Sequence, residues 1–189
     1  MKKISLLIIL IPIILILTSF YFLTFNENFY KNYSNYNEDK INNILHFLND
    51  KEQLNYFTED EQTHLLDVKN KIEITKTILI LSWLTLILII TFLIYKKRYK
   101  FLGSFLTQSS LLTLALVITL TLITFLNFEQ AFIKFHELIF TNNLWRLQPN
   151  SELLSLFPTE FFIQFTKRIL LTITLSSIAL LGLGYYLKR

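Results

Sequence analysis

The sequence predicts an all-α membrane protein: four transmembrane helices with a mostly helical extracytoplasmic cap built from two outer loops. Three observations predict it. Apolar residues make up 52% of the 189 residues, and the mean hydropathy of +0.45 is too high for a water-soluble domain of this size. Four stretches approach or exceed the roughly 20 apolar residues that cross a hydrocarbon core of about 30 Å. Basic residues collect at one set of span ends with no acid among them. Residues 1–189 therefore read as a single integral membrane domain, with spans at 4–25, 77–95, 101–126 and 169–187 and outer loops at 26–76 and 127–168.

The first span follows Met1-Lys2-Lys3. It is longer than a signal-peptide core and is not followed by a small-x-small cleavage site, so it reads as a retained anchor. Pro12 is tolerated inside it if neighbouring groups satisfy the freed carbonyl. In the first outer loop Ile41, Leu45 and Leu48 recur at helical spacing. Thr58-Glu59-Asp60-Glu61 then has the form of a capping box, opening a helix that carries His64 and Asp67 on one face. In the second outer loop Phe128, Phe132, Phe135 and Ile139 form a helical stripe ending near Asn142 and Asn143. Pro149 and a short helix over Ser151 to Phe157 follow, and Pro158 restarts the chain into the last span, with Lys167 and Arg168 marking its outer end. The two loops are expected to pack together, with Tyr30, Tyr33, Tyr36 and Trp145 at headgroup level.

Charge sets the orientation. The net charge is +4, but its distribution says more than its sum. Lys2, Lys3, Lys96, Lys97, Arg98, Lys100, Lys188 and Arg189 flank the spans on one side, which places both termini and the middle loop in the cytoplasm by the positive-inside rule. The first outer loop carries ten acids against six lysines, so nucleic acid is not an expected partner. The absence of cysteine excludes disulfides and thiol chemistry. Three glycines, at 103, 182 and 184, leave no phosphate-binding loop or Gly-x-Ser-x-Gly turn.

Few groups can carry chemistry. His64 has Glu61 three residues before it and Asp67 three after, and a carboxylate one helical turn away can hold an imidazole as a general base. A partly solvated histidine in a charged helix is the other reading. His136, in Phe135-His136-Glu137, sits beside apolar anchors where burial tunes its charge; it is either catalytic or bonded to loop backbone. His46 reads as structural or solvent-facing. Glu61-x-x-His64 has the spacing of a di-iron motif, and His136-Glu137 adds two donors, yet one such motif does not make a site. No metal and no cofactor are expected.

Glu61-Gln-Thr-His64-Leu-Leu-Asp67-Val68-Lys69 and Phe135-His136-Glu137-Leu-Ile-Phe-Thr-Asn142-Asn143-Leu-Trp145, with Leu147-Gln-Pro149-Asn-Ser151-Glu152-Leu-Leu and Phe157-Pro158-Thr-Glu-Phe161-Phe162, resemble the bacterial lipoprotein intramolecular transacylases. Ser151-Glu152 stands where Thr-Asp is common in that family, which preserves the capping role. The resemblance covers nearly the whole chain. It implies transfer of the sn-2 acyl chain of an S-diacylglyceryl-cysteine to the α-amine of the same cysteine, giving a lyso-form lipoprotein. It also implies His64 and His136 as catalytic residues, a diacylated bacterial lipoprotein as substrate alongside membrane lipid, and a bacterial cytoplasmic membrane with the site on its outer face. Asp67 and Glu61 would then support His64, and Asn142, Asn143 or Trp145 would shape the pocket or donate to the oxyanion. A metal-assisted membrane hydrolase and a non-enzymatic envelope scaffold or sensor are the alternatives.

The two histidines can share a reaction only if they share a pocket. His64 lies about 13 residues before the second span, which in a straight helix is about 20 Å above it. The helix from Thr58 is therefore expected to bend, break or lie along the membrane between Asp67 and Lys76. His136 is expected to return through the Asn142-Asn143 turn and Pro149, with the two imidazoles within about 12 Å, the limit for sharing one proton-transfer site.

Overall fold

The computed structural model describes residues 7–189; Lys2, Lys3 and the start of the first span at Ile4 lie outside the described residues. Helix α1 (Leu10–Thr24) follows a 3₁₀ turn at Leu7–Ile9. Pro12 sits in the first turn of α1 rather than in mid-helix, where its missing N–H is one that has no intrahelical partner anyway. The outer cap begins with α2 (Glu27–Tyr33) and α3 (Glu38–Leu48), capped by the side chains of Asn26 and Asn37. Then come α4 (Glu59–Tyr95), α5 (Tyr99–Leu126), α6 (Phe128–Ile139), α7 (Glu152–Leu156) and α8 (Thr159–Lys188). Four of the helical segments, Leu7–Thr24, α4, α5 and α8, are long and apolar enough to cross a membrane.

Of the bend, break or surface path expected between Asp67 and Lys76, the break is absent: α4 runs unbroken for 37 residues. Leu65, Ile72, Leu79, Leu86 and Leu93 are all buried and stand seven residues apart, so one face stays in contact along the whole helix. No Gly or Pro interrupts it. The α5–α6 side stays apolar up to the second histidine instead. On α5, Phe125 and Leu126 are 85% and 80% exposed, and α6 starts two residues beyond Leu126, so the apolar outer surface leads directly to the helix bearing His136.

The span helices gather round α1, which packs against α4, α5 and α8. The closest pair is α5 and α8. A Cβ at Gly103 would stand 2.7 Å from the Gly184 carbonyl, and one at Gly184 would stand 2.8 Å from the Thr107 amide, so backbone meets backbone there. Farther along, Ser109, Ser110, Thr113 and Ser177 are fully enclosed, small residues that keep the approach close.

Three apolar clusters hold the molecule. Ile11, Ile14, Leu86, Leu93, Leu102, Phe105 and Leu106 fill one end of the bundle. At the other end Ile44, Leu48, Phe57, Leu65, Ile72, Leu153 and Leu156 join α3, α4 and α7, so the two outer loops do pack together. The third cluster seats α2 and α3 on α8 through Phe29, Tyr30, Ile41, Leu45 and Phe161. Tyr30 belongs to this core: it is 6% exposed and its hydroxyl donates to the Thr24 carbonyl at 2.7 Å.

Candidate active site

His64 lies on the second turn of α4, positioned by the cap at its start. The Thr58 hydroxyl accepts from the Glu61 amide, and the Glu61 carboxylate takes the Thr58 amide at 2.9 Å. His136 lies on the last turn of α6, whose N-cap is Asn127. The two rings stand 6.5 Å apart between centroids at 35°, inside the separation required for a shared pocket.

Aromatic side chains wall them in. Phe140 is buried and lies 5.4 Å from His64 and 5.7 Å from His136. Phe132 lies 4.2 Å from His136, tilted by 47°, and is backed by Phe162 from α8 at 4.9 Å. Trp145 covers His136 at 5.0 Å, with the Arg146 guanidinium over the indole.

The environment fixes the charge state of both imidazoles. Burial pushes the His64 pKa well down; the neighbouring His136 adds to this and Asp67 opposes it. Burial also lowers His136, against a hydrogen bond to the Phe132 carbonyl that favours its protonated form. Nδ1 of His136 is 2.8 Å from that carbonyl oxygen, an acceptor only. Nδ1 must carry the proton, and the neutral ring presents a lone pair at Nε2. Nδ1 of His64 is enclosed with no hydrogen-bond partner. An orphaned buried N–H is rarer than an orphaned acceptor, so the favoured neutral form of His64 keeps its proton on Nε2. The pair is complementary, one nitrogen accepting and one donating.

Neither carboxylate hydrogen-bonds His64; Asp67 acts on it only through its charge, which raises the imidazole pKa. Asp67 takes the side-chain amide of Asn142 at 2.8 Å, while the Asn142 oxygen accepts from the Leu144 amide at 3.0 Å; this bridge ties the Trp145 loop to α4. Glu61 is 2% exposed and accepts from Thr58, from the Ser151 hydroxyl and from the Leu153 amide at 3.1 Å. It caps α4 and α7 at once. Burial alone would raise its pKa, but these bonds hold it below its ordinary value. Asn143 stays exposed; its carbonyl accepts from the Arg146 amide. Glu137 is engaged by Lys134 at 2.8 Å and Arg146 at 3.3 Å. Among the described residues, no three His, Asp or Glu side chains gather round one point. His46 faces Glu52 at 3.1 Å on the cap surface. Phe132, Phe140 and Phe162 are the walls that sequence reading did not single out as site residues; in a chain with 18 phenylalanines, spacing alone does not distinguish them.

Four apolar helices carry a partly desolvated imidazole pair at one end, the frame of a membrane-integral protein whose paired histidines are placed where they could exchange protons. A sequence profile described as lipoprotein intramolecular transacylase Lit matches residues 2–162. The chain belongs to that family and is an acyltransferase of membrane lipoproteins. Its fold is that of solved structures of the membrane-integral lipoprotein intramolecular transacylase Lit from Bacillus cereus. One superposes with a TM-score of 0.85 at 23% identity, covering 98% of this chain and 94% of that one. A histidine-to-alanine variant of the same protein gives 0.77 at 23% identity, with 98% and 92% covered. A histidine-to-arginine variant gives 0.70 at 21%, with the same coverage. No curated relative matches the chain.

Proposed function

We propose that this enzyme moves the sn-2 acyl chain of an S-diacylglyceryl-cysteine onto the α-amine of the same cysteine, with His136 as general base and His64 as electrophile. The facing of the two imidazoles at 6.5 Å in an aromatic enclosure carries this reading. The amine nitrogen attacks the ester carbonyl carbon and gives a proton to Nε2 of His136. Nε2–H of His64 donates to the oxygen on which charge develops, as a preorganised neutral imidazole can. The C–O bond to glycerol then breaks, and the same proton passes from His136 to the departing oxygen. Nothing else is consumed. Nucleophile and ester belong to one molecule, so holding them in near-attack geometry supplies much of the acceleration, and the aromatic walls keep water from intercepting the ester.

The site opens on the outer face of the bacterial cytoplasmic membrane, with both chain ends inside. The eight basic residues flanking the opposite span ends support that orientation. The test is mass spectrometry of N-terminal lipopeptides from a host that makes diacylated lipoproteins. Expression is expected to yield N-acyl, S-monoacylglyceryl termini, and either His64→Gln or His136→Gln to lower their yield at least 100-fold. Only diacylglyceryl termini from a stably inserted wild-type protein would overturn the proposal.

A further inference from the structure

At the end of the bundle opposite the histidines, the turn between α4 and α5 and the end of α8 border an open hollow of about 540 Å³, lined by Lys97, Arg98, Lys100 and Arg189 with Tyr99, Phe101 and Leu187. The volume falls within the roughly 300–1,000 Å³ of small-molecule pockets. Its cations come from chain segments far apart in sequence. The backbone contact of Gly103 with Gly184, Leu187 and Lys188 sets the start of α5 against the end of α8 and so fixes the two groups side by side. Lys97 holds its place at a positive φ of 53°, while the Arg98 amide bonds back to the Leu93 carbonyl at 2.8 Å.

Like charges brought together repel unless an anion joins them, and no acidic side chain is near enough to do so. None occurs between Glu73 and Glu129, or after Glu160. Among the described residues, no ion pair involves any of the four cations. The wall opposite the charges is apolar and continuous with the bundle, since Phe101 and Leu187 pack on its core.

We propose that this hollow is a binding site for the headgroup of an anionic phospholipid in the leaflet opposite the active site. The phosphate lies among Lys97, Arg98, Lys100 and Arg189, and the upper acyl chain lies along Phe101 and Leu187. A lipid fits better than a free anion because charge and apolar wall meet at the end of the spans, where a headgroup joins its chains.

The experiment uses the purified full chain and native mass spectrometry, titrating phosphatidylglycerol and phosphatidylcholine of matched chains. Phosphatidylglycerol is expected to bind at least tenfold more tightly. The triple variant Lys97→Gln, Lys100→Gln, Arg189→Gln is expected to reduce that preference to below threefold. A control of equal charge change on the outer cap, Lys31→Gln, Lys51→Gln, Lys71→Gln, keeps it. Equal binding of the two lipids, or loss of preference in the control, would overturn the site. Displacement of the lipid by millimolar glycerol phosphate or inorganic phosphate would identify a free-anion site and overturn the lipid assignment. The readout does not depend on transacylation, so it stands or falls apart from the proposed reaction.

Discussion

At the scale of single residues, the two imidazoles are held neutral by burial, and this makes stability depend on pH in a definite direction. Their folded-state pKa values lie below the ordinary value of 6.5. The unfolded chain therefore takes up protons first as pH falls. Stabilisation from the neutral pair is complete above about pH 6.5 and drains away below it, whereas that of Glu61, whose pKa is lowered from 4.5, is lost only at more acid pH. The melting temperature in detergent is expected to drop between pH 7.5 and 5.5, and by less in the double variant His64→Gln, His136→Gln. An equal drop in both proteins would remove the histidines as its cause. The motifs made His64 and His136 legible, because a histidine flanked by carboxylates and another among phenylalanines stand out in a chain with three histidines. The hydrogen bonds of Asp67 and Glu61 go elsewhere than His64 for one reason. Helical spacing gives neighbours on the same helix, whereas the partners of both carboxylates, Asn142, Ser151 and Leu153, come from the other loop.

Among elements, Glu61 is the fastening between α4 and α7. Removing its carboxylate leaves the Ser151 hydroxyl and the Thr58 and Leu153 amides without their acceptor, and unsatisfied buried groups cost about 1–3 kcal/mol each. Glu61→Ala is expected to cost about 3 kcal/mol in reversible unfolding, while Glu61→Gln, which keeps an acceptor oxygen, costs less; equal losses would assign the effect to packing. The α5–α8 crossing gives a second prediction. Gly103→Val places side-chain atoms against the Gly184 carbonyl and the Lys188 amide and is expected to destabilise by about 1–3 kcal/mol or more through overpacking. Gly182→Ala, with nothing within 4 Å, is expected to be neutral. The four spans were legible because hydropathy needs no partner. Of the bend, break or surface path that the height of His64 suggests for α4, the break is excluded, because a buried residue at every seventh position keeps the helix continuous. The stripe of α6 and the short helix before Pro158 were read correctly from their own patterns, and α2 was missed because seven residues are too few to show a period.

On the scale of the whole molecule, function follows from polarity along the bundle axis: cations at one end, histidines at the other and apolar helices between. If the basic end is cytoplasmic, a reporter fused after Arg189 is active only as a cytoplasmic fusion, and activity restricted to the outer side would reverse the orientation. In the proposed reaction nucleophile and ester belong to one substrate molecule, so the acyl chain stays within it. The most direct test reconstitutes the purified enzyme with two synthetic diacylated lipopeptides of different peptide mass, one carrying a deuterated sn-2 chain. The account predicts lyso-form products in which the deuterated chain sits on the α-amine of its own peptide alone. Deuterated acyl on the other peptide, or free deuterated fatty acid as the main product, would contradict it.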